Sequence, residues 1–404
     1  MRKIHSIAIA LLACVLAAPA VWAQQKTIKD PAEYNAYMAA LNTADPAQKA
    51  ASMESFVVKY PNSVVKIDAL EQAMAAYQLA SNQAGVEKAA RRVLQVASGN
   101  VRALAVLTVI ERAKATAGDK AALAQMQAHA QQGAAALKSW RNADGMNDAD
   151  FAKLRRQMEN IFNGALGFTA LQGKDYGRAR DAYLLADQTS LQDVYQLGIA
   201  ELEMNPVDAN GFWHVARAIS LANSQKLDAA AKSADAYGRA KYKRYHGGED
   251  GWDAVVKQAA SGTAIPKDFA NAITRAPTPA EIAVKAVQDN DPGSFSFEDM
   301  EFILGLRDAS PANREAAERV WRALQERGAG ARFKLRVKVI AASTTTIEAA
   351  ITDDNKKSDK ADMHIVLAKP SEPPPAAGTL VTVTGRFSDY TPAPFAFTMI
   401  QGEL

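Results

Sequence analysis

The sequence predicts a mainly α chain: a stack of helical hairpins, a helical extension, and a small five-stranded β-barrel domain at the C-terminal end. Three observations predict it. From Asp30 to about Gly328 the chain is rich in Ala, Leu, Gln, Lys and Glu and is cut by Gly or Pro into runs of helical length. Between Ala165 and Ala186, small and aromatic residues (Leu166, Gly167, Ala179, Tyr183, Ala186) stand at the spacing of one helix-turn-helix repeat. From Arg332 onward the apolar period changes from helical to two.

At the N-terminal end Arg2 and Lys3 precede an apolar run from Ile7 to Val21, and Val21-Trp22-Ala23 offers small or aliphatic side chains for cleavage. Residues 1–23 therefore read as an export signal cut after Ala23, which makes the mature chain periplasmic or secreted. Pro19 breaks the run, which is shorter than the roughly 18 to 20 residues that cross hydrocarbon, so no transmembrane segment is expected in the mature chain. The one cysteine, Cys14, ends Leu11-Leu12-Ala13-Cys14, which resembles a lipobox and leaves lipid anchoring as the secondary expectation. No second thiol exists for a disulfide, so stability must come from packing. The formal charge of +3 falls to about +1 without Arg2 and Lys3, which argues against a dedicated binder of nucleic acid.

Residues 24–245 read as the helical repeat domain. Phe56, Val57, Tyr60, Pro61, Asn62 and Ser63 close one helix on a proline turn, and Leu70, Ala73, Met74 and Tyr77 mark the next. Gly85 reads as the following turn, with Ala90, Leu94 and Ala97 beyond it. Gly167 and Ala179 let two helices approach closely, while Leu166, Tyr183 and Ala186 fill the groove beside them. Leu197-Gly198 repeats the opening face, with Gly211, Val215 and Ala218 on its partner helix. These residues resemble the tetratricopeptide repeat family, whose unit is about 34 residues long with small residues at the helix crossings. Phe56 to Ser63 is also similar to the F-x-x-x-Y-P-x-S opening of exported bacterial tetratricopeptide proteins. The resemblance implies a solenoid with a protein or peptide partner in its groove. On that reading Asn163, Thr169 and Gln196 face the partner.

Residues 246–330 read as a helical extension that caps the stack. His246-Gly247-Gly248 breaks the chain, and Gly247 or Gly248 supplies a positive φ with Trp252 packed beneath. Thr278-Pro279-Ala280-Glu281 and Ser310-Pro311 open helices with a cap and a first-turn proline, the second burying Ala316, Val320, Trp321 and Leu324. Gly328-Ala329-Gly330 reads as a hinge. Residues 331–404 read as the β domain, with strands at Phe333 to Val339, Thr345 to Ile351, Met363 to Leu367, Leu380 to Phe387 and Phe395 to Ile400. Asp353 to Asp362 reads as a solvated hairpin turn. Val383-Thr384-Gly385-Arg386-Phe387 with Pro394-Phe395-Ala396-Phe397 resembles the oligonucleotide/oligosaccharide-binding (OB) fold of the anticodon-binding-like group. Lys334, Arg336 and Lys338, with Arg332, make one face of the first strand basic and form the candidate anion site.

The sequence offers no cluster for catalysis. Gly167 to Lys174 misses a phosphate loop, with five residues between its glycines and Asp175 where Ser or Thr should bind magnesium. Asp289, Asp291, Gly293, Glu298 and Glu301 miss a calcium loop, since Met300 takes the twelfth position. His129, His214, His246 and His364 are not at metal-ligand spacing from one another. His246 with Glu249 and Asp250 is the one grouping that could serve catalysis, and no Gly-x-Ser-x-Gly nucleophile accompanies it. The expectation is a non-enzymatic scaffold without cofactor or metal. The alternative is a module that binds an anionic glycan or lipid through the β domain.

Overall fold

The structure is a computed structural model that describes residues 27–142, 146–262, 264–327 and 332–404. The export signal, Cys14 and the Gly328 to Gly330 hinge lie outside the described residues. The chain divides into two compact units, the first ending at Arg275 and the second beginning at Ala276.

The first unit is helical: α1 (Pro31–Leu41), α2 (Pro46–Lys59), α3 (Lys66–Leu79), α4 (Gln83–Val96), α5 (Val101–Thr116), α6 (Lys120–Leu137), α7 (Asp148–Gln172), α8 (Tyr176–Leu184), α9 (Leu191–Leu202), α10 (Asn210–Ser224), α11 (Asp228–His246), α12 (Trp252–Ser261) and the single turn α13 (Phe269–Ala272). Each long helix packs on its chain neighbour, and α5 also meets α7, α7 meets α9, and α10 meets α12. Connections of a few residues make such neighbours antiparallel.

One turn recurs. Ser81 (φ 54°), Gly118 (φ 100°), Lys174 (φ 58°) and Lys226 (φ 56°) each end a helix in the left-handed region. The next amide reaches back to close the helix, as Asn82 N does to Tyr77 O at 2.9 Å and Asp175 N to Ala170 O at 2.9 Å. At three of the four, that next residue is Asn82, Asp119 or Asp175, whose side chain accepts from the first turn of the following helix. Helix end, reversal and helix start thus occupy three residues. Gly85 is therefore not the turn. It lies in α4, where a Cβ would stand 2.4 Å from the Tyr77 ring.

Gly167 plays the same part on α7, with a Cβ falling 2.8 Å from Tyr183. Tyr183, Ala179, Ala186, Leu197 and Gly198 are all buried, and Leu166 is half-buried. At Gly198 a Cβ would meet Val215 at 2.7 Å and the Gly211 carbonyl at 3.0 Å, so α9 and α10 cross backbone to backbone. His246 ends α11, Gly247 supplies the positive φ of 93°, and Trp252 is buried with its indole N–H on Asp235 at 2.8 Å.

The second unit holds α14 (Pro279–Asp289), a 3-10 turn (Pro292–Ser294), α15 (Phe297–Gly305), α16 (Pro311–Arg327), β1 (Phe333–Ala342), β2 (Thr346–Ala350), α17 (Asp353–Ser358), β3 (Met363–Leu367), β4 (Leu380–Pro392) and β5 (Phe395–Glu403). The strands close a barrel in the order β1-β2-β3-β5-β4, parallel between β3 and β5 and antiparallel elsewhere. A bulge between Val339 and Ala341 bends β1 so that it pairs with both β2 and β4.

Two expectations change here. The extension is not one piece: α12 and α13 share a core with α10 and α11, whereas α14, α15 and α16 share theirs with the barrel through Val287, Ile303, Val320 and Leu324 beside Val337 and Phe397. The segment Asp353 to Asp362 is not a solvated turn throughout, since it contains α17 and ends on Asp362, which is fully buried. Asp362 accepts from Ile351 N (2.7 Å), Thr352 N (3.0 Å), Thr352 Oγ1 (2.8 Å) and Asn355 Nδ2 (2.9 Å). Glu301 takes Asn355 Nδ2 as well (2.9 Å), and Glu298 takes Asp353 N (3.0 Å), which ties α15 to the barrel. These carboxylates are thereby occupied with backbone and amide donors.

Candidate protein-binding surface

The proline turn after α2 makes a groove rather than a plain corner. Tyr37, Phe56 and Tyr60 stack in series, with ring centroids 5.3 and 5.2 Å apart, which anchors the Tyr60-Pro61 reversal on the core. Burial, then the charge of Asp68, pushes the Tyr37 phenol up to about 12. Above this base, α2, α3 and α4 leave a cavity of about 240 Å³ lined by Val57, Val58, Pro61, Lys66, Leu70, Arg92, Gln95 and Val96. Val58 is 73% exposed and Val96 43%. Two exposed aliphatic side chains thus stand beside Lys66, Arg92 and Gln95 in one open concavity. Lys66 and Arg92 make its rim basic; Arg92 also reaches Glu54 at 3.4 Å.

A second feature lies across α5, α7 and α9. Arg112 on α5 makes a short ion pair with Asp193 on α9 and donates to Gln196 Oε1 at 3.3 Å. To do so it crosses α7 at Gly164, where a Cβ would stand 2.8 Å from the guanidinium, and it lies 5.8 Å from the Phe168 ring. Tyr183 donates to the same Gln196 oxygen at 2.5 Å. Burial drives the Tyr183 phenol far above its usual range. For Arg112, burial acts to lower the pKa, and the Asp193 carboxylate and the Tyr183 phenol together outweigh it and raise the pKa.

Similar latches tie the other hairpins. Glu71 accepts from Asn100 (2.5 Å) and Arg102 (3.3 Å). The fully buried Glu111 accepts from Arg91 (3.2 Å) and meets His129 Nδ1 (2.7 Å), and Glu201 meets His214 Nδ1 (2.6 Å).

The residues assigned to a partner each make a hydrogen bond within the unit. Asn163 donates to the Leu185 carbonyl at 3.2 Å and so closes the end of α8. Thr169 bonds back to the Ala165 carbonyl at 3.0 Å within its own helix. Gln196 is the acceptor of the latch just described. The three polar side chains are thus engaged inside the unit. The groove residues Val58 and Val96 and the latch residues Arg112, Gly164 and Asp193 went unmarked in the sequence. The signal for the first was the Val57-Val58 pair beside Tyr60-Pro61. For the second it was a glycine at 164, three residues before the one that packs on Tyr183.

The remaining candidates also have partners. His246 Nδ1 faces the Thr274 carbonyl at 2.7 Å and its Nε2 lies 3.6 Å from Asp250, at the end of α11. Asp289 pairs with Lys285 at 2.9 Å, and Asp291 caps the 3-10 turn through Gly293 N at 3.0 Å. Of the basic residues of β1, Arg332 bonds the Thr384 and Gln401 carbonyls and pairs with Glu403 at 2.8 Å. Lys338 pairs with Asp359 at 2.7 Å and donates to the Lys356 carbonyl at 2.8 Å. Lys338 is thus paired within the barrel unit, whereas Lys334 and Arg336 are exposed. Among the described residues no helix is long and apolar enough to cross a membrane.

Compared with models of protein families, with curated proteins and with solved structures, the chain matches none.

Proposed function

We propose that the protein is an exported, non-enzymatic scaffold whose helical unit binds a protein or peptide in the groove between α2, α3 and α4. The observation that carries the reading is the groove itself: Val58 near the end of α2 and Val96 at the end of α4 stand exposed beside a basic rim, next to a turn that tilted aromatic pairs hold on the core. A partner that covers these two side chains would gain their burial.

The tetratricopeptide-like reading of this unit is supported by the recurrent three-residue turn and by glycines at which a ring or a second backbone closes the crossing. An OB-like reading of the barrel is supported by five strands in the closed order β1-β2-β3-β5-β4 with a bulged first strand. Fold-level likeness does not name a ligand. Export rests on the basic and apolar residues before Ala23. Mass measurement of the mature chain should find Gln24 first; an intact Met1 would remove that element of the proposal.

The test of the groove is site-specific photocrosslinking in cells. A photoreactive residue at position 58 or 96 is expected to give discrete adducts that disappear on Val96→Asp or Val58→Asp at the other position. The same residue at exposed Lys153 on α7 should give none of them. Equal labelling from all three positions would sink the proposal.

A further inference from the structure

The outer face of the barrel over β1, β4 and β5 carries a second surface, of different chemistry from the groove. Along β1 the inward residues are Phe333, Leu335, Val337 and Val339, which leaves Lys334 and Arg336 outward. Pairing sets Lys334 beside Thr384 and Arg336 beside Thr382 on β4, and sets Arg386 beside Ile400 on β5. Lys334, Arg336 and Arg386 are exposed, and the side chain of none makes a hydrogen bond or ion pair among the described residues. Alternate residues of a strand lie about 7 Å apart and neighbouring strands about 5 Å apart, so the three cations share one compact field. Glu403, which the register sets across β4 in the row of Lys334, is already held by Arg332 at 2.8 Å.

The rest of the face decides which anion it suits. Leu380 and Ile400 flank the cations and are 52% and 38% exposed. No aromatic ring joins them, because Phe333, Phe387 and Phe397 turn inward and stack on one another at 5.0 and 5.2 Å. Nucleic-acid bases would find nothing to stack on. Cations interspersed with exposed aliphatic side chains on a sheet face match the boundary between anionic headgroups and acyl chains.

We propose that this face, Lys334, Arg336 and Arg386 with Leu380 and Ile400, is a peripheral docking surface for an anionic lipid membrane. It is independent of the groove in the helical unit, and its failure would leave that reading untouched.

The test uses the chain as isolated from cells and measures partitioning onto vesicles of mixed phosphatidylglycerol and phosphatidylcholine, against pure phosphatidylcholine. A cation near such a surface contributes about 1 kcal/mol, or roughly fivefold in partitioning. Replacing Lys334, Arg336 and Arg386 together by Gln is thus expected to lower partitioning by about 100-fold. The triple replacement of Lys153, Arg156 and Lys232 by Gln, in the helical unit, changes net charge equally and is expected to leave it within about twofold, since the proposed docking belongs to the barrel face and not to net charge. Leu380→Gln with Ile400→Gln should remove the binding that persists in high salt. Unchanged thermal unfolding of each variant keeps the comparison valid for surface residues. Equal loss in both triple variants would overturn the proposal in favour of a net-charge effect. Equal binding to uncharged vesicles, or binding to a soluble polyphosphate with none to vesicles, would overturn it as well.

Discussion

Single charged groups decide how the helical hairpins are held. Asp193 and Arg112 are 7% and 17% exposed, so removing one strands the other in a poorly solvated site. Asp193→Ala is expected to destabilise the helical unit by about 3 kcal/mol, and Arg112→Met with Asp193→Leu by less than the two single changes together. Denaturant unfolding measures both; additive losses would mean that the pair is not coupled. Glu201 behaves differently. Burial pushes its carboxyl up from the usual 4.5, and His214 offsets only part of that. A raised folded pKa contributes stability below the unfolded value and loses it as pH rises through the folded one. Stability of the native chain relative to Glu201→Gln should therefore decline from about pH 4.5 upward. Parallel melting curves for the two proteins across that range would refute the assignment. Neither group was legible in the sequence, because an Asp, a Glu and an Arg within helical runs read as solvated faces until the partner helix is in place.

At the scale of the element, turns and crossings separate two uses of glycine. Gly118 stands at φ 100° with nothing near its missing Cβ, so Gly118→Ala tests backbone strain alone. Its expected cost is about 1 kcal/mol. Gly167 lies within α7 and faces Tyr183 at 2.8 Å, so Gly167→Ala sets a packing clash against the gain of about 1 kcal/mol that alanine brings to a helix interior. Tyr183 is fixed by Gln196, the ring cannot retreat, and about 2 kcal/mol should be lost. Ser81 and Lys174 hold left-handed turns without being glycine, so Ser81→Gly should gain up to about 1 kcal/mol. Thermal unfolding of the three variants checks the order, and a stabilised Gly167→Ala would show the crossing to be loose. The crossing at Gly167 was readable from small residues at repeat spacing. The turn at Ser81 was not, since a serine at positive φ carries no local mark, and the eye goes to Gly85 instead.

For the whole molecule the division at Arg275 and Ala276 has a thermodynamic consequence. Each unit has its own apolar core, and α14, α15 and α16 belong to the barrel's. Asp362→Ala leaves the buried Ile351 and Thr352 amides without their acceptor and leaves Thr352 Oγ1 and Asn355 Nδ2 with Glu301 alone, and a loss of about 3 kcal/mol is expected. Calorimetry should place that loss in one transition and leave a second unmoved. A single transition shifted as a whole would mean that the two units unfold together.

Local pattern sufficed where a residue's neighbours in sequence are also its neighbours in space. The helical runs with their caps at Thr278 and Ser310, the strand period from Phe333 and the close crossing at Gly167 are all of that kind, and the sequence by itself determined them. Tertiary structure alone decided the rest. It assigned α14 to α16 to the barrel, buried Asp362, gave Asn163, Thr169, Gln196 and Lys338 partners within the chain, and left Val58, Val96, Lys334, Arg336 and Arg386 exposed. The physical reason is that exposure and pairing depend on which distant element arrives opposite a side chain. One face of a helix or strand looks the same in sequence whether it meets a carboxylate, a ring or water.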